Sequence, residues 1–558
     1  MALIKLVGNK IHLRVNASEG EATRGFTGGN WNRKTQSHEF PSVLLPDIVS
    51  TFGEDCIGDK ATRDEWERLT RLEERAERIK SGDESVLPPA GRLMLHQRKC
   101  LALSRLFKRY ALFLDTGTGK TVASLAIIAD NPNTKWLIVV PKNIIRTAWI
   151  ADADEFYPHL RVLPLSKNFG KEYYVSLAKQ WGCLPSYNVA LDTLRDGMAT
   201  LADVLVINPE SFKLEIPRLQ DLGVSGLILD ESSVIKNPRS DTSKAVTLFA
   251  RKMERVYILS GKPAPNNMLE YYPQMDVVER GLLGLSFWQF REAYFEPHGF
   301  KGYQWRPKRN ALDLIGAKVS RRAYFVSKED CLDLPEKTYL VNEVDLPPKA
   351  LRYYRSMERE RVLELANKTV IAPNLLTSLM KLRQITSGFV LDDDTAEILH
   401  TAKLAALMAT LEDIGDKPVI IWCNFQKEIR MIEEALQGLG MSVVTAYGET
   451  KNVDDSIEAF KNGSAQYIVA HPATLKYGVT FTHCTYAIYY SLSYSFENYY
   501  QSHDRIYRKG QTQPCTFIFL LCPDTIDYMI YHVLQEKGDL AKAVEDYVKA
   551  YGKQKGDS

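Results

Sequence analysis

Two series of short apolar runs, each run separated from the next by a helical stretch, constrain this chain more than any other feature. The first comprises Ala111–Leu114, Trp136–Val140, Val204–Ile207, Leu227–Leu229 and Val256–Leu259. The second comprises Val419–Trp422, Val443–Thr445, Tyr467–Ala470, Ala487–Tyr490 and Thr516–Leu521. A strand that is apolar along its whole length has both faces covered, and strands that alternate with helices connect in parallel. Each series therefore predicts an α/β lobe built on a parallel sheet, one over residues 91–275 and one over 396–540.

Composition and period supply the other segments. Residues 1–60 mix alternating stretches with Gly-rich turns and predict a small β-rich N-terminal module with a short helix near Pro46–Phe52. From Asp64 to Lys80, Trp66, Leu69, Leu72, Ala76 and Ile79 recur every three or four residues, the spacing of an amphipathic helix. Ser81-Gly82-Asp83 and Pro88-Pro89 then break the chain, so 61–90 is expected to be a connecting helix and linker at a domain boundary. A helical insertion rich in aromatics, Arg and Lys is expected over 276–395, with helices at Pro347–Ala366 and Leu375–Thr386, and a C-terminal helix and tail over 541–558.

Lys plus Arg number 71 against 69 for Asp plus Glu, so the net charge is +2 and any nucleic-acid surface must be local. No apolar run approaches the roughly 20 residues of a membrane span, and the first residues lack the apolar core of a signal peptide. The eight cysteines contain no C-x-x-C pair, which points away from a zinc site or a disulfide framework. These features predict a soluble, cytoplasmic protein without membrane contact, monomeric in isolation.

The chemistry concentrates after the first apolar run. Ala111–Leu114 leads into Asp115-Thr116-Gly117-Thr118-Gly119-Lys120-Thr121 and then a helical stretch, which is the context of a phosphate-binding loop. Glycines let backbone N–H groups converge on phosphates, Lys120 reaches the terminal ones, and Thr121 can ligate Mg²⁺. The strict pattern is broken only where Leu114 stands at its first glycine. In the same lobe, Leu227–Leu229 ends in Asp230-Glu231, placing Asp230 to hold Mg²⁺ and Glu231 to deprotonate an attacking water. ATP and Mg²⁺ are the expected ligands.

The order of Gln97, the Gly-x-Gly-Lys-Thr loop, Asp-Glu and the run Gln501-Ser502-His503-Asp504-Arg505-Ile506-Tyr507-Arg508-Lys509-Gly510-Gln511 resembles the Swi/Snf-type helicase-like ATPases of superfamily two. The resemblance implies two RecA-like lobes, with Thr116, Gly117, Thr118, Gly119, Lys120 and Thr121 around the nucleotide, Gln97 reading adenine, Gln501 beside it, and Arg505 and Arg508 reaching ATP from the second lobe. Shorter matches fall in the same order. Ile138-Val139-Val140-Pro141-Lys142 with Trp149 resembles a first DNA-contact motif, and Leu259-Ser260-Gly261-Lys262-Pro263 with Asn266-Asn267 resembles a coupling motif. Arg321-Arg322, Leu334-Pro335-Glu336-Lys337 and Leu382-Arg383-Gln384-Ile385 resemble stretches of the family's insertion. The chain departs from the family at Ser232-Ser233, where Ala or Gly and then His are usual, and at Ser260 and Lys262, where threonines are usual. His471-Pro472-Ala473 is similar to prophage and bacterial members, which implies a bacterial or phage source.

The implied partner is double-stranded DNA gripped by its backbone. Expected contacts are Lys142, Arg146, Lys236, Asn237, Arg321, Arg322, Lys381, Arg383 and Lys476. The segment Phe300 to Arg309 offers an aromatic to stack on an exposed base, against the alternative of a packed Trp305 with solvated neighbours. Trp31, after Gly28-Gly29-Asn30, weakly resembles the substrate module of HARP-type annealing helicases, which would make branched DNA the substrate; the alternative is a hairpin with Trp31 in its core. The expected activity is a DNA-dependent ATPase that translocates on duplex DNA. The rivals are a strand-separating helicase on single-stranded DNA or RNA, and an ATP-switched DNA clamp with little turnover.

Overall fold

Each apolar series builds one parallel sheet. In the first, strands β5 (Arg109–Leu114), β6 (Trp136–Val139), β7 (Val162–Pro164), β8 (Val204–Ile207), β9 (Gly226–Leu229), β10 (Arg255–Leu259) and β13 (Ala323–Val326) lie in the order β13-β5-β10-β9-β6-β8-β7. All six pairings are parallel. The second sheet runs β14 (Lys337–Glu343), β21 (Cys515–Leu521), β20 (Tyr486–Tyr489), β17 (Val419–Trp422), β19 (Tyr467–Ala470), β18 (Val443–Ala446), again all parallel. This computed structural model describes residues 2–536 except 17–18, 20–22, 24–25, 27–28, 90, 167–168, 184–188, 266, 299–303, 368–371, 393–394 and 476–478.

Continuous apolar strands make sense of both sheets. In β17, all four residues are fully buried, with Ile420 and Trp422 in one apolar cluster and Val419 and Ile421 in another. Alternate side chains thus feed two cores on opposite faces, so neither face has a polar position to give. Among the described residues, no helix is long and apolar enough to cross a membrane.

The chain divides into two compact units, Met1–Cys331 and Leu332–Ser558. Residues 276–395, expected as one helical insertion, are split by that division: β13 extends the first sheet beside β5, and β14 extends the second beside β21. The insertion's two expected helices occur at Pro348–Asn367 and Ala372–Thr386, in the second unit. A hairpin of β15 (Phe389–Asp392) and β16 (Thr395–Ile398) follows them. The expected C-terminal helix over 541–558 lies outside the described residues.

The N-terminal module is not a separate body either. Its antiparallel sheet, β1 (Leu3–Val7), β2 (Lys10–Arg14), β4 (Ser37–Pro41) and β3 (Asn30–Asn32) in that order, is followed by helix α1 (Leu45–Phe52). Gly29 is required because a Cβ there would collide with the Phe40 ring. Helix α2 (Lys60–Ser81) starts on the Asp59 carboxylate, which accepts from Thr62 N–H at 2.8 Å, and stops at left-handed Gly82. Its Lys80 Nζ donates to the Ser320 carbonyl at 2.6 Å, and Lys99 Nζ reaches back to the Lys80 carbonyl at 2.7 Å. Residues 1–90 are therefore packed into the first unit rather than linked to it, a correction to the boundary expected near residues 81–89.

Arg321 and Arg322, expected on the DNA, are engaged within the first unit. Arg321 bonds Glu73 on α2, the Asp47 carboxylate at 2.9 Å and the Val43 carbonyl at 3.1 Å; Arg322 pairs with Glu279 at 3.3 Å and stacks on Phe107. Their side chains are only 14% and 6% exposed, and both guanidinium groups are engaged by carboxylates of the chain itself. Trp31 is the reverse case: it is 54% exposed and meets His38 edge-on at 4.8 Å, so it is not in the hairpin core.

Candidate nucleotide site

The loop from Asp115 to Gly119 joins β5 to helix α3 (Lys120–Ala129). Gly117 and Gly119 take φ of +85° and +80°, a region L side chains rarely adopt. Thr118 Oγ1 closes the loop on the Asp115 carbonyl at 2.7 Å, and His96 Nε2 lies 2.7 Å from the Thr118 carbonyl. Gln97 is buried against the same loop: its Oε1 accepts from Met94 N–H at 2.9 Å, and its Nε2 donates to the Gly119 carbonyl at 3.3 Å. The structure thus brings Gln97 to the phosphate loop as a brace. Lys120 Nζ donates to the Leu114 carbonyl at 3.1 Å, and Thr121 is half-buried in the first turn of α3.

Asp230 ends β9 and is 4% exposed. One oxygen accepts from Trp149 Nε1 and the other from the Glu231 N–H, each at 2.9 Å. Burial pushes the carboxyl above its ordinary value, while the Lys120 charge and the two donors pull it back. Trp149, expected in a DNA-contact motif, is instead fully buried and fixes this carboxylate. Glu231 adopts φ +52°, ψ +60°, a strained conformation for a residue with a side chain, and such strain clusters at functional positions.

The segment after β10 completes the surroundings. A Cβ on Gly261 would stand 3.3 Å from the Thr116 N–H, so this turn lies directly on the phosphate loop. Lys262 Nζ sits 3.3 Å from Asp115 Oδ1, and the Lys328 N–H donates to Asp115 Oδ2 at 3.2 Å. Ser232 Oγ donates to Gln274 Oε1 at 2.6 Å, while Gln274 Nε2 donates to the Pro263 carbonyl at 2.5 Å and the Glu270 carbonyl at 2.9 Å. Two of the residues that depart from the family pattern, Ser232 and Lys262, therefore tie the acidic strand end and the phosphate loop to the 260–263 turn. Sequence reading missed Gln274, because a lone glutamine inside a helix carries no signal. Asn266 lies outside the described residues.

Two buried hydroxyls here, Thr116 Oγ1 and Ser260 Oγ, have no hydrogen-bond partner among the described residues. Orphaned donors beside Lys120 and a desolvated carboxylate are what a polyphosphate with a divalent cation would satisfy, so these residues fit Mg-ATP.

In the second unit, Gln501 is buried on helix α4 (Phe496–His503), with its Nε2 3.5 Å from Glu497 Oε1 and its own Oε1 unpartnered. Arg505 is 2% exposed and donates to the Gln501 carbonyl at 3.0 Å and the Val479 carbonyl at 2.6 Å. Arg508 is half-exposed and donates to Thr480 Oγ1 at 3.0 Å. Gln511 is a rivet, holding the Cys484 and Ile506 carbonyls at 3.0 and 3.2 Å.

Of the expected DNA contacts, Lys142, Arg146 and Asn237 are exposed and Lys236 is half-buried. Lys381 bonds the Leu391 carbonyl. Arg383 is 9% exposed, donates to the Leu492 carbonyl at 2.5 Å and lies between Phe425 and Tyr494, each 5.0 Å away. Lys476 and Phe300 to Tyr303 lie outside the described residues.

Comparison with known proteins bears on the same residues. The family model for the SNF2-related domain matches residues 96–388, and that for the helicase conserved C-terminal domain matches 402–510. The chain is 24% identical to putative protein p41 of Acyrthosiphon pisum secondary endosymbiont phage 1, over 79% of this chain and 94% of that protein. It is 23% identical to the SWI/SNF-related matrix-associated actin-dependent regulator of chromatin subfamily A-like protein 1 of Drosophila melanogaster, over 77% of this chain and 53% of that one, and 23% identical to the DNA repair and recombination protein RAD54B of Gallus gallus, over 82% and 55%. The chain thus spans about half the length of these two animal proteins. A solved structure, the Sulfolobus solfataricus SWI2/SNF2 ATPase core in complex with dsDNA, aligns over 81% of this chain and 92% of that one at 22% identity, with a TM-score of 0.36.

Proposed function

We propose that this chain, which belongs to the SNF2-related family of DNA-dependent ATPases, turns ATP hydrolysis into movement along double-stranded DNA. The observation that carries this reading is the contact of the 260–263 turn with the phosphate loop, through Gly261 on Thr116 and Lys262 on Asp115, together with the Ser232–Gln274–Pro263 link. A change at the terminal phosphates would be felt in that turn without an intermediary.

In this reading Lys120 and the loop from Thr116 to Gly119 hold the phosphates, and Gln97 braces the loop. Thr121 and Asp230 hold Mg²⁺, which would neutralise charge on the phosphates. Glu231 takes the proton of the attacking water, and Arg505 and Arg508 of the second unit, with Gln501 nearby, supply guanidinium charge in the turnover-competent state. Lys142, Arg146, Lys236 and Asn237 grip the DNA backbone. Branched DNA is the proposed preferred form, supported by the exposed Trp31, and the cytoplasm of a bacterial or phage-infected cell is the proposed location, supported by the similarity to the phage protein.

The test is steady-state ATP hydrolysis without DNA and with single-stranded, duplex and forked DNA, beside Lys120→Ala. Duplex or fork stimulation exceeding that of single strands, abolished in Lys120→Ala, is the expected result. Turnover indifferent to every DNA would overturn the motor reading, and stimulation by single strands alone would favour the strand-separating helicase.

A further inference from the structure

Between the acidic strand end and β13, the first unit carries a cluster that the nucleotide site does not use. Helix α5 (Phe287–Tyr294) and the hairpin of β11 (Phe295–His298) and β12 (Gln304–Pro307) bring Arg291 against two indoles: its guanidinium carbon is 3.8 Å from the Trp305 ring centre and 4.2 Å from that of Trp288. Arg239, from the loop after Asp230-Glu231, stands 5.1 Å from the same Trp288 ring. The sequence runs Arg239, Trp288, Arg291, Trp305, and in space guanidinium and indole alternate in the same order.

Three features say what the cluster is for. First, its charge is not ion-paired: among the described residues neither Arg239 nor Arg291 has a carboxylate within ion-pair distance, whereas neighbouring Arg306 is paired with Glu296 at 2.7 Å. Second, Arg291 Nε is buried without a hydrogen-bond partner among the described residues. Burial lowers the Arg291 pKa and the like charge of Arg239 lowers it further, against a smaller opposing pull from the Glu292 carboxylate. Third, the indole rings are engaged by guanidinium groups, while Arg239 is exposed and Trp288 is 49% exposed. What the cluster offers to solvent is stacked, planar cation edges, the geometry that suits a phosphate oxygen pair.

We propose that Arg239 and Arg291, held on Trp288 and Trp305, form a phosphate-binding contact for the DNA backbone. The inference rests on DNA being this protein's partner. It is favoured over an acidic protein segment by continuity, since the Arg239 N–H donates to Asn237 Oδ1 at 3.0 Å, and Asn237 with Lys236 is already on the expected DNA track. Trp305 then acts as a shelf for Arg291 and not as a platform for a base, and neither alternative expected for it from sequence, base stacking or simple packing, is complete.

The experiment is fluorescence anisotropy of the full chain with labelled duplex, forked and single-stranded DNA of one length, over about 50–200 mM salt, for wild type, Arg239→Ala, Arg239→Glu and Trp288→Ala. Each phosphate contact contributes about 0.9 to the log–log salt slope, so Arg239→Ala should lower the slope by about 1 and weaken low-salt binding about fivefold, with Arg239→Glu weaker still. ATP turnover without DNA should stay unchanged in Arg239→Ala. Unchanged slope and affinity in both Arg239 variants would overturn the contact. So would a loss of thermal stability with no change in slope, or poly-glutamate competing with DNA for wild type but for neither Arg239 variant while their DNA slopes match wild type. If wild-type turnover ignores DNA but Arg239→Ala still loses slope, the motor reading fails and this contact survives.

Discussion

The indole of Trp149 donates to Asp230 Oδ2 at 2.9 Å inside a site where the carboxylate is almost wholly buried. A tryptophan placed by sequence in a DNA-contact motif thus orients the acid proposed to hold Mg²⁺. Trp149→Phe keeps most of the ring volume and removes the donor. An unpaired buried carboxylate oxygen costs about 1–3 kcal/mol, so apparent Mg²⁺ affinity in ATP turnover should fall about tenfold while DNA affinity holds. Magnesium titration of ATP hydrolysis checks this; an unchanged Mg²⁺ response with weakened DNA binding would restore the DNA-contact role.

Ser232→Ala tests the link to the 260–263 turn. The substitution leaves Gln274 Oε1 buried without its donor, which should lower stability by about 1–2 kcal/mol in denaturant unfolding. DNA stimulation of turnover should fall several-fold while turnover without DNA changes little. Equal losses in both would show that Ser232 serves the phosphate site itself and not its connection to the turn.

Arg321→Ala separates an internal anchor from a DNA contact. The loss of a largely buried guanidinium between Asp47 and Glu73 should cost about 2 kcal/mol, discounted because both acids remain about 30% exposed. The salt slope of DNA binding should match wild type. A slope reduced by about 1 with unchanged stability would return Arg321 to the DNA track.

Acid should weaken the second unit through its histidines. Burial holds His400, His471 and His483 below the ordinary value of 6.5, with a nearby cation adding to the effect at each. A depressed histidine contributes stability that is fully present above its unfolded value and is lost as pH falls through its folded value. The denaturant midpoint should therefore hold above about pH 7 and decline below pH 6.5, and His400→Gln, which keeps a donor for the Ile385 carbonyl now 2.8 Å away, should flatten the decline. A pH-independent midpoint over this range would contradict it.

Ten of the parallel strands were legible because their runs are apolar, whereas β7 and β13 of the first sheet were not among the expected runs; the phosphate-loop pattern stood out because its glycines, lysine and flanking elements occur together. β14 was not legible: Lys-Thr-Tyr-Leu-Val-Asn-Glu is polar at both ends, and Tyr339, Leu340 and Val341 are about 40% exposed on a strand paired only with β21. The role of Arg321 was invisible for a different reason. Its acids stand 248 and 274 residues earlier in the chain, and charge patterning reports only near neighbours. Trp149 misled because its indole serves Asp230, 81 residues later. Gln97 was found by its place in the motif order, but its engagement with Met94 and Gly119 is a matter of three-dimensional approach that no spacing announces.

The clasp of Arg321 on α1 and α2 also bears on how genes of this kind can exchange parts. A recombination breakpoint near codon 60 would graft a foreign amino terminus onto a lobe still carrying Arg321, without the Asp47 carboxylate and Val43 carbonyl that receive it. Hybrids joined there would inherit a largely buried cation with one of its three acceptors, the Glu73 carboxylate. The chain's own division at 331 and 332 leaves that clasp whole, so viable mosaics should show their seams there rather than ahead of the phosphate loop.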